Sequence, residues 1–205
     1  PPPPFFFSSR RRHTPSCLGS WARRCVYETD ISPYKDKAIV CGQGTLGLEI
    51  NQDLNDVDST FISVGGGGLI GGVGGYLKSI NNQTKMYGIS PENSCVMYES
   101  LKADKQLDFP SKPTLSDGTA GGVELGSITF QLCKDVVDEF TVVSEDEIID
   151  GIRIGVEKHH QLIEGAAGTA IAVFLKYKSN LIGKTVVIVM CGGNISSEVL
   201  KSFLC

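Results

Sequence analysis

A chain of 205 residues, 41% apolar and 20% charged, can bury a sizeable core and fits one domain or one domain plus part of another. Its formal net charge of −4 argues against a nucleic-acid partner or an anionic membrane surface, either of which needs clustered Lys and Arg. No apolar run approaches the roughly 20 residues needed to span a bilayer.

The opening differs from the rest. Pro1–Pro4, Phe5–Phe7 and Arg10–Arg12 form a biased stretch without usable periodicity, and the first acidic residue is Glu28. It is Arg- and Ser-bearing and acid-free, like a presequence, although four prolines resist the amphipathic helix such a peptide needs. The alternatives are a disordered tail and a segment unrelated to the fold, and the last is preferred. Residues 1–25 are therefore set apart from residues 26–205.

From about Cys25 onward, strand and helix patterns alternate. Ser59–Val64 is β-branched and aromatic and ends in glycine, which marks a strand. Leu69–Ile80 follows as a helix weakened by its glycines. Lys85–Ile89 reads as a short strand and Ser94–Ala103 as a helix. Ile128–Phe140 has helical spacing, with Ile128, Leu132, Val136 and Phe140 on one face. Thr141–Val143 reads as a strand. Ser144 then stands three residues before Glu147, the signature of a capping box opening a helix that carries Ile148, Ile152 and Val156. Glu164–Lys176 is an Ala-rich helix. Thr185–Met190 is apolar throughout, as in a parallel strand covered on both faces. Repeated βα units of this kind imply an α/β fold, an open and mostly parallel sheet with helices on both faces.

The seven cysteines, at 17, 25, 41, 95, 133, 191 and 205, include no Cys-x-x-Cys pair. A scattered odd set reads as reduced thiols in a cytoplasmic compartment, with a mitochondrial location as the alternative.

The strongest chemical feature is the run Gly65, Gly66, Gly67, Gly68 with Leu69 adjoining, placed between a strand and a helix. Successive glycines let backbone N–H groups form an anion-binding nest at a helix N-terminus, where the helix dipole also favours negative charge. A tight glycine turn is the plainer reading. Gly66, Gly68 and Gly71 also satisfy G-x-G-x-x-G after a strand, the dinucleotide fingerprint. The next strand offers only Ser90, with Glu92 slightly beyond, as the acidic ribose partner. At the far end, the strand Thr185–Met190 runs into Cys191-Gly192-Gly193-Asn194, where the active groups of open α/β sheets gather. Cys191 could equally be a small core residue.

A tetraglycine loop after one strand and Cys-Gly-Gly-Asn after another resemble the fold-type-II pyridoxal-phosphate enzymes, closest to the threonine/serine dehydratases and serine racemase. Cys41-Gly42-Gln43-Gly44-Thr45 with Leu48-Glu49-Ile50 is similar to the family's A-G-Q-G-T-x-x-x-E-I segment. Pro91-Glu92-Asn93-Ser94 with Met97-Tyr98-Glu99-Ser100-Leu101-Lys102-Ala103 is similar to its P-E-N-x-x-x-M-Y-E-S-x-K-A stretch. Thr114–Gly118 and Leu162–Gly168 match further blocks in the right order. The similarity runs from about Val26 to Leu200.

The resemblance implies pyridoxal 5′-phosphate as cofactor, with its phosphate on Gly65–Gly68 and Leu69 and its pyridine nitrogen facing Cys191. A thiol there is a weak partner that leaves the nitrogen largely unprotonated, whereas a carboxylate would hold the proton. Glu164 is expected near the ring, with a surface helix carboxylate as the alternative. Gly118 is expected to bring its backbone near a small amino-acid substrate. The intact enzyme would be a homodimer that removes ammonia from L-threonine or L-serine, with serine racemisation as the alternative. A non-catalytic or dinucleotide-binding α/β module is the reading from another class.

The departures matter equally. The family's Schiff-base lysine and its S-x-G-N-H loop lie upstream of the A-G-Q-G-T segment, and neither motif precedes Cys41. The expectation is a C-terminal portion of the enzyme, inactive alone, with no catalytic lysine of its own and with the strand Ser59–Val64 left with an unpaired edge. Lys78, Lys85 and Lys102 read as solvated lysines. Racemase-type members hold a cation around the Pro-Glu-Asn segment. Ser90 and Val96 stand at the matching positions, so no metal is expected. His159 and His160 are adjacent, would point about 100° apart on a helix, and read as surface residues.

Overall fold

The computed structural model describes residues 32–54 and 56–204. The biased opening over residues 1–25, with Cys17 and Cys25, lies outside the described residues, and so does Cys205. In chain order the elements are α1 (Lys37–Asp53), β1 (Ser59–Ser63), α2 (Gly68–Ile80), β2 (Lys85–Pro91), α3 (Val96–Lys102), α4 (Ile128–Val136), β3 (Glu139–Val143), α5 (Glu145–His159), α6 (Gly165–Tyr177), β4 (Val186–Ile188) and α7 (Ser197–Leu204). The four strands form one parallel sheet in the order β3-β2-β1-β4. Among the described residues no helix is long and apolar enough to cross a membrane.

The two central strands, β1 and β2, are buried from both sides, whereas β3 and β4 at the sheet's margins are mostly half-buried. Side chains alternate across a strand, and this alternation divides the core in two. Ile62, Val64 and Met86 pack with Ile70, Val73 and Leu77 of α2, Met97 of α3, and Cys133 and Val136 of α4. Phe61, Tyr87, Ile89 and Val143 pack with Ile148 and Ile152 of α5 and Ala167, Ala170 and Val173 of α6. Phe61 is fully buried, stacked on Tyr87 at 4.4 Å between centroids and met edge-on by Phe174 at 6.0 Å. Truncating such a residue to alanine costs about 3–5 kcal/mol.

Several expectations are corrected. β1 has no unpaired edge, because β2 and β4 flank it along the registers Ser59↔Lys85 and Ser59↔Val186. The apolar run Thr185–Met190 contributes only the three residues of β4. They are half-buried, because β4 ends the sheet among the described residues, and Met190 is exposed. The helical spacing of Ile128–Phe140 does not continue to its end. α4 stops at Val136, and Phe140 lies in β3. Asp138 draws the chain to the sheet there, accepting from the Met86 N–H at 2.7 Å and from Lys78 Nζ at 2.8 Å. Lys78 is thus an ion-pair partner with a mostly covered side chain, not a solvated lysine.

Helix α1 carries the Cys-Gly-Gln-Gly-Thr segment and packs tightly on α2. A Cβ on Gly72 would lie 2.4 Å from the Val40 carbonyl oxygen, so only glycine admits this approach. Asp36 caps α1 by accepting the Ala38 N–H at 2.8 Å. The expected capping box opens α5. Ser144 Oγ accepts the Glu147 N–H at 3.3 Å, and the Ser144 N–H donates to Glu147 Oε2 at 2.9 Å.

Candidate functional site

The last residue of β1, Ser63, leads into Val64, whose N–H still bonds Ile89 O at 2.6 Å. The chain then leaves the sheet through Gly65–Gly67 and enters α2. Gly67 caps that helix in the left-handed region, φ +84°, with no side chain to satisfy the first turn. Such a φ is open to glycine and strained for other residues. The loop rests on a packed floor. The Cys133 thiol donates to Gly67 O at 3.7 Å, and a Cβ on Gly67 would meet Cys133 Sγ at 2.6 Å and Met97 Cε at 2.9 Å. Burial pushes the Cys133 thiol up to about 12, so it remains protonated.

The first N–H beyond the loop to find a partner is that of Gly71, which donates to Gly67 O at 3.0 Å. The six N–H groups from Gly65 to Ile70 have none among the described residues. All six residues, with the unpaired donors expected of a helix N-terminus, line a cavity of about 290 Å³. Its lining brings together all eight residues expected from the sequence: Gly65, Gly66, Gly67, Gly68, Leu69, Gly118, Glu164 and Cys191. A larger cavity of about 800 Å³ lies between α1, α2 and α4. It is walled chiefly by apolar side chains and glycine, without the converging polar groups that mark a binding site.

Cys191 reaches the cavity from the end of β4, with Sγ 3.0 Å from Ser63 Oγ. Burial raises its thiol above the ordinary value; the bond to Ser63 opposes that, and the Glu164 charge adds to it. This half-buried thiol lines the cavity and also packs against the core of Ile62, Val64 and Val189.

Glu164 stands at the N-cap of α6 but leaves its own helix uncapped. Its carboxylate instead accepts the Asn194 N–H at 2.9 Å, while its own N–H donates to Gly192 O at 3.2 Å. A Cβ on Gly118 would lie 2.7 Å from Glu164 Oε1, so this carboxylate also touches the Gly118 turn. Glu164 is therefore a half-buried wall residue and not a carboxylate on an outer helix face.

Other lining residues went unnoticed in the sequence: Tyr34, Gln43, Ser63 and Thr119. The Tyr34 ring packs on Gly66, where a Cβ would come within 2.1 Å of Cε1. Ser63 left a faint signal, a small polar residue where an apolar strand meets glycine. The dinucleotide reading loses its acidic partner, because the Ser90 hydroxyl donates to Val64 O at 2.6 Å and Glu92 is exposed. Val96 is buried in the core, and no three His, Cys, Asp or Glu side chains converge among the described residues. His159 and His160 are exposed, the second as a left-handed C-cap with φ 53°.

A phosphate fits the glycine loop on two observations: unpaired backbone donors, and a floor and rim that added Cβ atoms would fill.

L-threonine ammonia-lyase from Thermotoga maritima is 41% identical over 174 residues, covering 85% of this chain and 43% of that protein. Threonine deaminase isoform 2 from Solanum lycopersicum superposes with a TM-score of 0.79 at 31% identity, covering 84% of this chain and 51% of that one. Serine racemase from Dictyostelium discoideum gives 0.74 at 29%, covering 85% and 57%. The chain thus spans about two fifths to three fifths of the length of these relatives. The family model described as pyridoxal-phosphate dependent enzyme matches residues 26–192. With the glycine loop, Cys191 and the parallel sheet all inside that match, the chain belongs to the pyridoxal-phosphate dependent enzymes.

Proposed function

We propose that this chain forms the cofactor-holding part of an ammonia-lyase that converts L-threonine or L-serine to the 2-oxo acid and ammonia. The observation that carries this reading is the run of six residues with unpaired N–H groups that lines one cavity together with Cys191 and Glu164. Pyridoxal phosphate, when bound, supplies the electron sink that lets bonds at an amino-acid α-carbon break. The residues of this chain hold and tune it. Gly65–Gly68 and Leu69 bind the phosphate through backbone donors and the α2 dipole. Cys191 offers the ring nitrogen a neutral thiol, which does not fix a proton there. Glu164 holds the Gly192–Asn194 turn in place and borders the ring, and Gly118 borders the substrate side. The threonine-specific names of two sequence relatives favour elimination, whereas the structural likeness to serine racemase keeps racemisation as the second reading.

The test is equilibrium dialysis of the chain with pyridoxal 5′-phosphate, pyridoxal and NAD. Retention of the first well above the other two is expected. Gly68→Asp is the cleanest variant, because its Cβ meets only Pro33 O at 3.4 Å, whereas a Cβ on Gly66 would strike Tyr34. A carboxylate in the nest should lower pyridoxal phosphate affinity at least tenfold, about 1.4 kcal/mol. Equal retention of phosphate and non-phosphate forms, or unchanged affinity in the variant, would overturn the phosphate assignment.

A further inference from the structure

The serine at the end of β1 is unexplained by the phosphate nest. Ser63 is 4% exposed, lines the cavity, and has Cys191 Sγ at 3.0 Å as its one side-chain partner among the described residues. Either atom of the pair could donate, but the two directions differ in what they leave over. If the thiol donated to Ser63, the buried hydroxyl proton would have no acceptor, and the sulfur would present only lone pairs to the cavity. If Ser63 donates to sulfur, the hydroxyl is satisfied and the thiol proton is left to point outward.

The second arrangement suits what Cys191 faces in the proposed function. An unprotonated pyridine nitrogen is an acceptor and needs a donor. A thiol is a weak one, and a hydroxyl donating to its sulfur polarises the S–H bond and strengthens the next link. We propose that Ser63 is a positioning residue, whose hydroxyl donates to Cys191 Sγ and so aims the thiol proton at the cofactor ring nitrogen. The inference rests on the cofactor reading above. It extends that reading by assigning the ring-nitrogen contact to a two-residue chain, Ser63 O–H to sulfur and S–H to nitrogen. Glu164 is the charged group whose field reaches the same thiol, and its charge works against the thiolate. The neutral S–H form is thereby kept.

The experiment has one arm without cofactor and one with it, both on the full chain. In the first, the rate of Cys191 alkylation by iodoacetamide is followed against pH by peptide mass mapping. Loss of a hydroxyl that donates to sulfur removes support from the thiolate, so Ser63→Ala should move the midpoint up by about one pH unit. Ser63→Thr keeps the hydroxyl and should restore it. In the second arm, Ser63→Ala should weaken pyridoxal 5′-phosphate binding about fivefold while inorganic phosphate binding stays within about twofold, because the nest is intact. An unchanged alkylation midpoint in Ser63→Ala overturns the pair. Equal losses for phosphate and pyridoxal phosphate overturn the ring-nitrogen role, since Ser63 would then act through the loop. If the unaltered chain binds no pyridoxal phosphate, the cofactor reading falls, and the pair itself still stands or falls on the alkylation midpoint.

Discussion

Two loops at the carboxyl ends of neighbouring parallel strands face each other across the cavity, and they are held in opposite ways. The glycine loop after β1 lies on a floor of Cys133 and Met97, with Gly67 buried and its carbonyl bonded from beneath. The turn after β4 is exposed at Gly192, Gly193 and Asn194 and is tied chiefly to one side chain, the Glu164 carboxylate. Packing from many atoms makes the first loop a fixed surface. The second depends on a single residue that also borders the cavity. In one site the glycine-loop side is rigid by burial, and the Cys191 side is adjustable through one carboxylate.

The sharpest way to break this contrast is to add a Cβ to each loop. Gly67→Val adds left-handed strain and a collision with two buried side chains, and should cost about 3 kcal/mol or more in urea denaturation. Gly192→Ala also sits at positive φ, +119°, but the atoms its Cβ would meet first belong to the Glu164 carboxylate, the far end of a flexible side chain. A cost near 1 kcal/mol is expected there. Equal costs would erase the distinction between the loops.

Glu164→Ala should free the second loop alone. Amide exchange at Asn194 should accelerate about tenfold, as expected for a lost hydrogen bond to a charged group, while the amide of Val64 keeps its protection. Faster exchange at Val64 would show that the two loops are one unit.

A smaller effect lies away from the cavity, in the capping box that carries α5 under the sheet. Burial pushes the Glu147 carboxyl up, but the Lys176 ion pair and the Ser144 N–H outweigh it and leave the group below its ordinary value. A depressed carboxyl contributes stability above its unfolded value and loses that contribution as pH falls through the folded one. The thermal midpoint should therefore drop in mild acid, and Glu147→Gln should flatten that drop while both cavity loops keep their exchange rates. Ser144→Ala should cost about 1 kcal/mol at neutral pH. A steeper acid limb in Glu147→Gln would contradict the assigned sign.

The glycine loop was legible because it interrupts a β-branched strand, a contrast that needs no partner to be seen. The capping box was legible for the same reason, since Ser144 and Glu147 are neighbours on one turn. Helix α1 was not read as a helix, because Gly42, Gly44 and Gly47 lower its propensity. Gly44 and Gly47 approach Gly72 and Val73 of α2, a purpose that exists only after folding, whereas a Cβ on Gly42 would meet nothing. Phe140 was drawn into the preceding helix by its spacing, whereas the competing pull of Asp138 on Met86 and Lys78 is a tertiary effect. Ser63 and Glu164 show the same limit. The family resemblance suggested Glu164 but not its hold on Asn194. Nothing local in Ser63 announces a thiol beside it, 128 residues further along the chain.

The register of β1 has a consequence for the order in which the site comes into being. Ser90 and Val64, which join β2 to the glycine loop, are 26 residues apart, whereas Ser63 and Cys191 are 128 apart. At a synthesis rate of roughly 5–20 residues per second, β4 leaves the ribosome on the order of ten seconds after β2. Closing the longer loop also carries the greater entropic cost. A nascent chain can therefore pair the strands behind the glycine loop well before Cys191 has been made, and β1 spends that interval with its β4 side unpaired.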